Sequence, residues 1–330
     1  FTRVSLYAAR LDAAGKNPVE QYVAGGYPVP VEVISSRAEV GRVVDSPLVL
    51  PPGRSSVILQ FRPAGEGETV LSLKVPDRFS TPEQYASLGA SVRKPGIALS
   101  DQLVIGENLE LGGVLSIGEI APHGGIKVTL TSEDPGALLL SKSESLVGTK
   151  SVDVTIPEGE TSGRYYVQAL GHSGTVSYSA TAPGFRSRTA IVTLAPSGVV
   201  LTPASQGPPD EAQVLRIEAP DGVHRFYANL SKPQPMHLVA WTAQLDPVTH
   251  RCADITVQPL RGGLTLQVEL KNANPEIGAL VSAVTIPSGS DHAIAEFKPL
   301  HVGTAEISIV TPEKFTRSAN ATTVIGYVRQ

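Results

Sequence analysis

The chain has 330 residues, of which 41% are hydrophobic and 18% charged, and its formal net charge at pH 7 is −4. This composition excludes a disordered chain, and the length favours two or three domains over a single core. The near-balanced charge leaves no basic patch for nucleic acid or for an anionic membrane surface, and no apolar run approaches the ~20 residues that span a bilayer.

Segments with strand character follow one another along the chain. Most of them alternate apolar and polar residues, which places one face of a strand in a core and the other in water. The clearest segments are SVILQF (56–61), VLSLKV (70–75), IKVTLTS (126–132), VDVTI (152–156), TVSYSA (175–180), LTLQVEL (264–270) and AEISIV (305–310). Turn clusters rich in Gly and Pro separate them at the spacing of antiparallel sandwiches. The sequence therefore predicts an all-β fold built of β-sandwiches.

One order of landmarks occurs three times: a Gly-Gly pair, a strand, a Pro-x-Gly turn, a strand, a glycine, a strand, a proline and a phenylalanine. The glycine of the Pro-x-Gly turn precedes the later glycine by 14, 15 and 14 residues (53 to 67, 159 to 174, 289 to 303). Such near-equal spacing indicates three internal repeats of one domain. The landmarks are Gly67, Pro76 and Phe79 in the first copy, Gly174, Pro183 and Phe185 in the second, and Gly303, Pro312 and Phe315 in the third.

Each landmark has a physical reason. Glycine adopts the positive φ angles that hairpin turns need, and a proline after a strand ends the hydrogen-bond ladder because it has no N–H. The three phenylalanines are interpreted as core residues that close one end of each sandwich, in preference to ligand contacts.

One short helix is predicted at STPEQYASLG (80–89). A capping Ser or Thr, Pro82 near the first turn and Gly89 at the end form a helix signature. The segment is interpreted as a loop that is inserted into the first copy only.

Two short segments, KPGIAL (94–99) and APSGVVL (195–201), match each other as joins between the copies. Because both are short and contain Pro and Gly, neighbouring domains are expected to abut with limited freedom. The predicted domains are residues 1–95, 96–197 and 198–330, arranged as an elongated array. The third domain is expected to be enlarged in its N-terminal half, around residues 205–236.

The first copy has the opposite peculiarity. VSLYAARLD (4–12) resembles HLVAWTAQLD (237–246), which lies well inside the third copy. The first domain is therefore expected to lack its opening strand or strands, which would expose an apolar groove and unpaired backbone groups. An added strand could come from an upstream part of a longer chain or from a neighbouring subunit, and the second source would polymerise the protein head to tail.

Reactive groups form no recognisable catalytic, cofactor or metal site. GHSG (171–174) is followed by Thr175 where a Gly-x-Ser-x-Gly elbow needs its last glycine. The seven histidines form no ligand pair, and the acidic pairs lack the calcium-loop pattern, although calcium at an acidic joint between domains stays an open alternative. We therefore expect a chain that is not an enzyme and holds no cofactor.

Single residues raise a few further questions. Cys252 is the only cysteine, which excludes an intrachain disulfide and favours a buried thiol. Trp241, the only tryptophan, lies in an alternating strand, so a core position is favoured over a sugar-stacking one. Asn229 and Asn320 begin Asn-x-Ser/Thr triplets, which are acceptor sequences for glycans.

The stretch GTVSYSATAPGF…TAIVTLAPSGVVL (174–201) resembles the bacterial immunoglobulin-like repeats that build tandem arrays in secreted and cell-surface proteins. The resemblance implies three tandem immunoglobulin-like β-sandwich domains and an extracellular or cell-surface location. It suggests a non-catalytic structural protein, such as a filament subunit, a stalk or an adhesin segment. Its partners would be copies of itself or neighbouring repeats of a longer chain. The alternative is a carbohydrate- or protein-binding module of a secreted enzyme.

Overall fold

The computed structural model describes residues 2–82, 84–204, 219, 223–231, 236–253 and 256–330. These residues form strands and turns with no α-helix, so the predicted all-β fold of β-sandwiches is confirmed. Among them there is no helix that is long and apolar enough to cross a membrane. The chain divides into two compact units, Phe1–Lys94 and Pro95–Gln330. Most of the enlargement predicted around residues 205–236 lies outside the described residues, and the division into three domains stays a prediction.

The first unit is one sandwich with a small hairpin. A three-stranded sheet of order β1-β7-β5 faces a four-stranded sheet of order β6-β4-β8-β9, and β2 pairs with β3. Val43, Leu59, Phe61 and Leu71 form a buried cluster between the sheets. The strands are β1 (Thr2–Tyr7), β2 (Ala9–Arg10), β3 (Val19–Glu20), β4 (Val29–Ser35), β5 (Gly41–Val43), β6 (Leu48–Leu50), β7 (Ser56–Pro63), β8 (Gly67–Lys74) and β9 (Ser87–Val92).

The second sandwich opens the second unit. Its sheets have the orders β10-β12-β16-β14 and β11-β18-β17-β13-β15. The hydroxyl groups of Tyr165 and Tyr178 are hydrogen-bonded at 2.7 Å inside the core. The strands are β10 (Ala98–Leu99), β11 (Leu103–Gly106), β12 (Glu110–Ser116), β13 (Ile126–Ser132), β14 (Leu138–Ser141), β15 (Ser151–Ile156), β16 (Ser162–Ala169), β17 (Thr175–Thr181) and β18 (Arg188–Ala195).

The third sandwich follows after Pro196. Its sheets have the orders β19-β21-β25-β23 and β20-β27-β26-β22-β24. Phe226 and Phe297 meet edge to face in the core with ring centroids 5.1 Å apart. The strands are β19 (Ser197–Pro203), β20 (His224–Asn229), β21 (Met236–Gln244), β22 (Leu266–Asn272), β23 (Gly278–Leu280), β24 (Ala283–Ile286), β25 (His292–Pro299), β26 (Gly303–Ile309) and β27 (Thr323–Arg329).

Strands pair in a corresponding order in the three sandwiches. β12, β16 and β14 of the second sandwich correspond to β21, β25 and β23 of the third and to β1, β7 and β5 of the first. The other sheets correspond in the same way. In the second and third sandwiches an extra strand lies beside β12 or β21, and another lies parallel to β18 or β27. The described part of the first sandwich has no counterpart of either strand.

The helix predicted at residues 80–89 is wrong for the described residues. Residues 80–82 and 84–86 are irregular, and Ser87–Val92 forms β9, which pairs with β8 from Gly67↔Val92 to Ser72↔Ser87. The alternation of Leu88, Ala90 and Val92 suits a strand edge, and this long-range pairing overrides the local capping pattern. The loop is also not peculiar to the first copy, because seven residues separate Phe79 from β9 and Phe315 from β27.

Candidate functional site

The described residues contain no group of three or more His, Cys, Asp and Glu side chains arranged to hold a metal ion. The acidic pair at Asp210–Glu211 lies outside the described residues. His172 and Ser173 lie in an irregular turn before β17. Trp241 is buried, with Nε1 donating to Thr202 Oγ1 at 3.0 Å.

The landmark phenylalanines follow the same type of turn in each sandwich. The N–H groups of Phe79, Phe185 and Phe315 donate to the carbonyl oxygens of Pro76, Ala182 and Pro312 at 3.1, 3.2 and 3.2 Å. The residue before each phenylalanine has a positive φ, with values of +68° at Arg78, +84° at Gly184 and +66° at Lys314. Pro183 therefore lies one turn position later than Pro76 and Pro312. The glycines Gly67 and Gly303 begin β8 and β26, and Gly174 directly precedes β17.

The burial of the three phenylalanines differs. Phe185 and Phe315 are half-buried and pack against the core, whereas the Phe79 side chain is 39% exposed. Phe79 instead lines a small cavity of about 100 Å³ together with Leu6 and Leu73. The interpretation as a core residue is therefore wrong for Phe79, because the first sandwich is open on this side.

The two glycan acceptor sequences have different surroundings. Asn229 is exposed at the end of β20, and its Oδ1 accepts hydrogen bonds from the Ser231 N–H and hydroxyl. Asn320 is buried, and its Nδ2 donates to Cys252 O at 2.9 Å while its Oδ1 accepts from the Cys252 N–H at 2.8 Å. A glycan on Asn320 would require this contact to open, so in the folded chain only the Asn229 amide is accessible among these two.

A buried polar cluster lies where the third sandwich meets the second. The docking segment, residues 257–263, runs beside the end of β11 and the start of β12, with an antiparallel bridge between Leu109 and Leu260. Glu110 Oε2 accepts hydrogen bonds from the Gly262 N–H at 3.0 Å and from Gln168 Nε2 at 2.8 Å. Gln168 also donates to Leu146 O at 2.8 Å. The Gly262–Glu110 hydrogen bond therefore joins the two sandwiches, and Gln168 holds the Glu110 side chain and the Leu146 carbonyl beside it.

A second set of contacts fixes the other end of the docking segment. Gln258 uses both ends of its amide, donating to Val104 O at 2.8 Å and accepting from the Gly106 N–H at 3.0 Å. Asn108 Nδ2 donates to Lys314 O at 3.2 Å, which lies in the phenylalanine turn of the third sandwich. Because Gln258 and Asn108 are both buried, a change of the joint would leave polar groups unpaired at a cost of about 1–3 kcal/mol each.

Glycine is required where the docking segment approaches the second sandwich. A Cβ atom on Gly262 would lie 2.0 Å from Leu146 O and 2.7 Å from Gln168 Nε2. The corresponding glycine of the first sandwich, Gly25, has no heavy atom within 4 Å of such a Cβ. The Gly-Gly pair thus forms part of an open turn in the first sandwich, whereas in the third sandwich it permits a close contact with the second.

Burial makes the carboxyl group of Glu110 a weaker acid than an exposed glutamic acid. Loss of hydration raises the pKa of its carboxyl group to about 7, against the hydrogen bonds from the Gly262 N–H and Gln168, which lower the pKa. Negative charge on Glu144 raises the pKa further, and positive charge on Arg261 lowers it. Oε1 of Glu110 has no hydrogen-bond partner among the described residues. The joint therefore contains one group that titrates near neutral pH.

The first sandwich has an open side between β1 and β9. A groove of about 510 Å³ lies there, lined by side chains of β1, β8 and β9 that include Val4, Leu6, Leu71 and Leu88. Leu88 is 49% exposed. No strand of the described residues pairs with the outer edge of β1. An apolar groove beside an unpaired strand edge is a surface suited to strand addition.

Sequence reasoning anticipated the open side but missed the polar joint. Strand alternation places Glu110 and Val114 on the same face of β12, and that face is solvent-exposed at Val114. The docking segment and the loop at Leu146–Gly148 lie over the Glu110 end, and no local pattern of residues reveals that cover. Glu110 lies directly opposite Gln168 in the pairing of β12 with β16. Aligning these two strands in the sequence could have shown that two polar side chains are neighbours, and this is the one available signal for the joint.

No family model and no curated protein matches the chain. Solved structures that match the chain include Escherichia coli alpha-2-macroglobulin activated by porcine elastase, at 11% identity and a TM-score of 0.25, covering 99% of this chain and 33% of that one. A β-glycosidase from Bacteroides vulgatus matches at 12% identity and a TM-score of 0.23, covering 53% and 24%. A glycosyl hydrolase family 2 member from Bacteroides cellulosilyticus matches at 13% identity and 0.23, covering 54% and 24%.

The chain thus spans between about a quarter and a third of the length of these structures.

Proposed function

We propose that the chain is a non-catalytic structural segment of an extracellular or cell-surface protein, such as a filament subunit, a stalk or part of an adhesin. Its three sandwiches act as tandem copies of one immunoglobulin-like repeat. Their corresponding strand orders and the common turn before each landmark phenylalanine support this proposal. The role of such a segment is to hold its second and third sandwiches in a fixed relative orientation.

The joint between the second and third sandwiches is the observation that carries the proposal. If the two sandwiches were flexibly linked, the docking segment would lie in water. Instead Glu110 and Gln168 of the second sandwich are buried beneath it, and Gln258 of the segment itself is buried against β11. Only Pro196 separates β18 from β19, so the last strand of one sandwich leads directly into the next. A short connection with a buried, hydrogen-bonded contact resists bending, which is the property a spacer needs.

The open side of the first sandwich supports a second part of the proposal. We infer that this sandwich takes up a strand from a neighbouring sandwich, either in a longer chain or in another subunit. Repeated head to tail, such a step would extend a fibre, because a donated strand adds backbone hydrogen bonds and fills an apolar groove.

Distances between spin labels on the second and third sandwiches test the stiff joint. Labels at Val114 and Val281, two half-exposed positions, are introduced in a Cys252→Ala background of the full chain. We expect one narrow distance distribution. Gly262→Ala should broaden it, because the added methyl group meets the Leu146 carbonyl oxygen. The matched variant Gly25→Ala, at the corresponding open position, should leave it unchanged.

A broad distribution in the unsubstituted joint would refute the spacer role. An equal effect of Gly262→Ala and Gly25→Ala would show that the close contact at Gly262 does not hold the joint.

A further inference from the structure

The strand that completes each later sandwich directly follows the last strand of the sandwich before it. β10 begins six residues after β9 ends at Val92, and β19 begins two residues after β18 ends at Ala195. Both connecting segments contain the pattern Gly, aliphatic residue, any residue, Leu. They read Gly96-Ile97-Ala98-Leu99 and Gly198-Val199-Val200-Leu201. The two completing strands therefore share one short sequence pattern.

The two aliphatic side chains of this pattern enter the core. Ile97 is 5% exposed, Val199 is 3% exposed and Leu201 is fully buried, and Leu99 packs against the same cluster. Alternation sends the residue between them to the opposite face of the strand, where Ala98 is exposed and Val200 is buried in a separate cluster. A completing strand thus inserts two aliphatic side chains, two positions apart, between the sheets.

The register of the completing strand is the same in both sandwiches. Leu99 lies opposite Leu115 and Leu201 opposite Ala240. Leu115 pairs with Gly163, Ala240 with Ala293, and Leu6 with Val57. Because Gly163, Ala293 and Val57 are each the second residue of their strands, Leu115 and Ala240 correspond to Leu6. The pattern leucine is therefore expected opposite Leu6. The leucine pair in the second sandwich shows that this register accepts two large side chains.

The backbone groups that would receive the strand are identifiable on β1. The Ala8 N–H donates to Ser55 O at 2.7 Å, so Ala8, Leu6 and Val4 direct their hydrogen bonds to β7. In an antiparallel ladder the intervening residues, Ser5 and Tyr7, direct theirs to the opposite side. The Val114 carbonyl, which corresponds to that of Ser5, accepts a hydrogen bond from the Ser100 N–H at 3.1 Å in the second sandwich.

We propose that the groove of the first sandwich binds an extended segment of the pattern Gly-Ile/Val-x-Leu, antiparallel to β1, with its leucine opposite Leu6. This inference rests on the strand uptake proposed above and names its partner. The donor is the segment that follows the last strand of a further sandwich of this kind. Neither of the two segments of this pattern within residues 1–330 is free for donation, because both are already paired within their own sandwiches.

Hydrogen exchange on an extended form of the full chain tests the proposal. The sequence of residues 196–204 is placed before Phe1 through a short Gly/Ser linker, and the control extension has serine in place of the counterparts of Val199 and Leu201. We expect the Ser5 and Tyr7 amides to exchange at least about tenfold more slowly with the aliphatic extension than with the control. The Leu6 amide, already bonded to β7, is an internal reference.

Equal exchange of the Ser5 and Tyr7 amides in the two extended proteins would overturn the proposal. Slow exchange of these amides in the unextended chain, together with self-association in sedimentation velocity, would also overturn it and would assign the donor to a second copy. The spin-label measurement reads the second and third sandwiches only, so a failure at the groove and a failure of the stiff joint are distinguishable.

Discussion

The first and third sandwiches correspond residue by residue over much of their length, yet they differ in burial. Gly53 and Gly289 are 236 positions apart, and so are Val92 and Val328, with no insertion between them. Leu88 is 49% exposed, whereas its counterpart Val324 is fully buried. The third sandwich has β19 and β20 along its two edges, and the described part of the first has neither. Burial at corresponding positions is therefore set by edge strands that lie far away in the chain.

The largest effect is expected at the central phenylalanines, Phe61 and Phe297. Each ring packs over a glycine, Gly41 and Gly278 respectively, but only Phe297 also meets a second aromatic ring, that of Phe226. Phe297→Ala should lower the free energy of unfolding of the third sandwich by about 3–5 kcal/mol, and Phe61→Ala should cost its own sandwich less. Denaturant unfolding followed by tryptophan fluorescence measures the first of these losses.

Tryptophan fluorescence reports on the third sandwich alone, because Trp241, the only tryptophan, lies in β21. Phe61→Ala should leave the tryptophan transition unchanged while amides of β7 lose protection from hydrogen exchange. A shift of the tryptophan transition by Phe61→Ala would show that the stability of the third sandwich depends on the first.

A smaller effect is expected from pH at the joint. Because the pKa of Glu110 is about 7 in the folded chain and near 4.5 when unfolded, the folded state binds the proton more tightly. The contribution of Glu110 to stability should be fully present below about pH 4.5, decrease as the pH rises from about 4.5 to 7, and stay constant above about 7. This shift, which already includes the opposing effect of Arg261, corresponds to roughly 3 kcal/mol.

Glu110→Gln is the control for this pH dependence. The amide oxygen can still accept from the Gly262 N–H and Gln168, but it carries no charge. Its unfolding free energy, measured by denaturant titration at pH 5 and pH 8, should vary less with pH than that of the unsubstituted chain. An identical pH dependence in the two proteins would assign the titration to other groups.

The sequence predicted the elements of the fold better than its contacts. Strands were visible from alternation in segments such as residues 126–132, and the spacing of Gly53, Gly67, Gly289 and Gly303 matches positions that correspond in the strand order of the first and third sandwiches. The capping pattern at residues 80–89 misled, because pairing of β9 with β8 outweighs weak local helix preference. The open side of the first sandwich followed from comparing two strands of similar sequence.

The joint could not be predicted from local pattern. Glu110 and Gln168 are on adjacent strands of one sheet, but nothing near them in sequence indicates that residues 257–263 cover them. Buried polar contacts between domains depend on the three-dimensional approach of segments about 150 residues apart, such as Glu110 and Gly262. The alternation of residues along a strand predicts only which face of the sheet a side chain lies on. Glu110 lies on the face that points away from the core of its own sandwich, and that face is buried here by another part of the chain.

The smallest effect is expected at the matched edge positions Leu88 and Val324. Val324→Ala removes two buried methyl groups beneath β20 and should cost about 1.5–3 kcal/mol. Leu88→Ala removes a larger side chain but should cost under about 1 kcal/mol, because half of that side chain already contacts water. Adding the aliphatic strand extension should reverse this order, since a covered Leu88 has more apolar area to lose. If Leu88→Ala destabilises the first sandwich equally with and without the extension, the added strand does not cover that part of the groove.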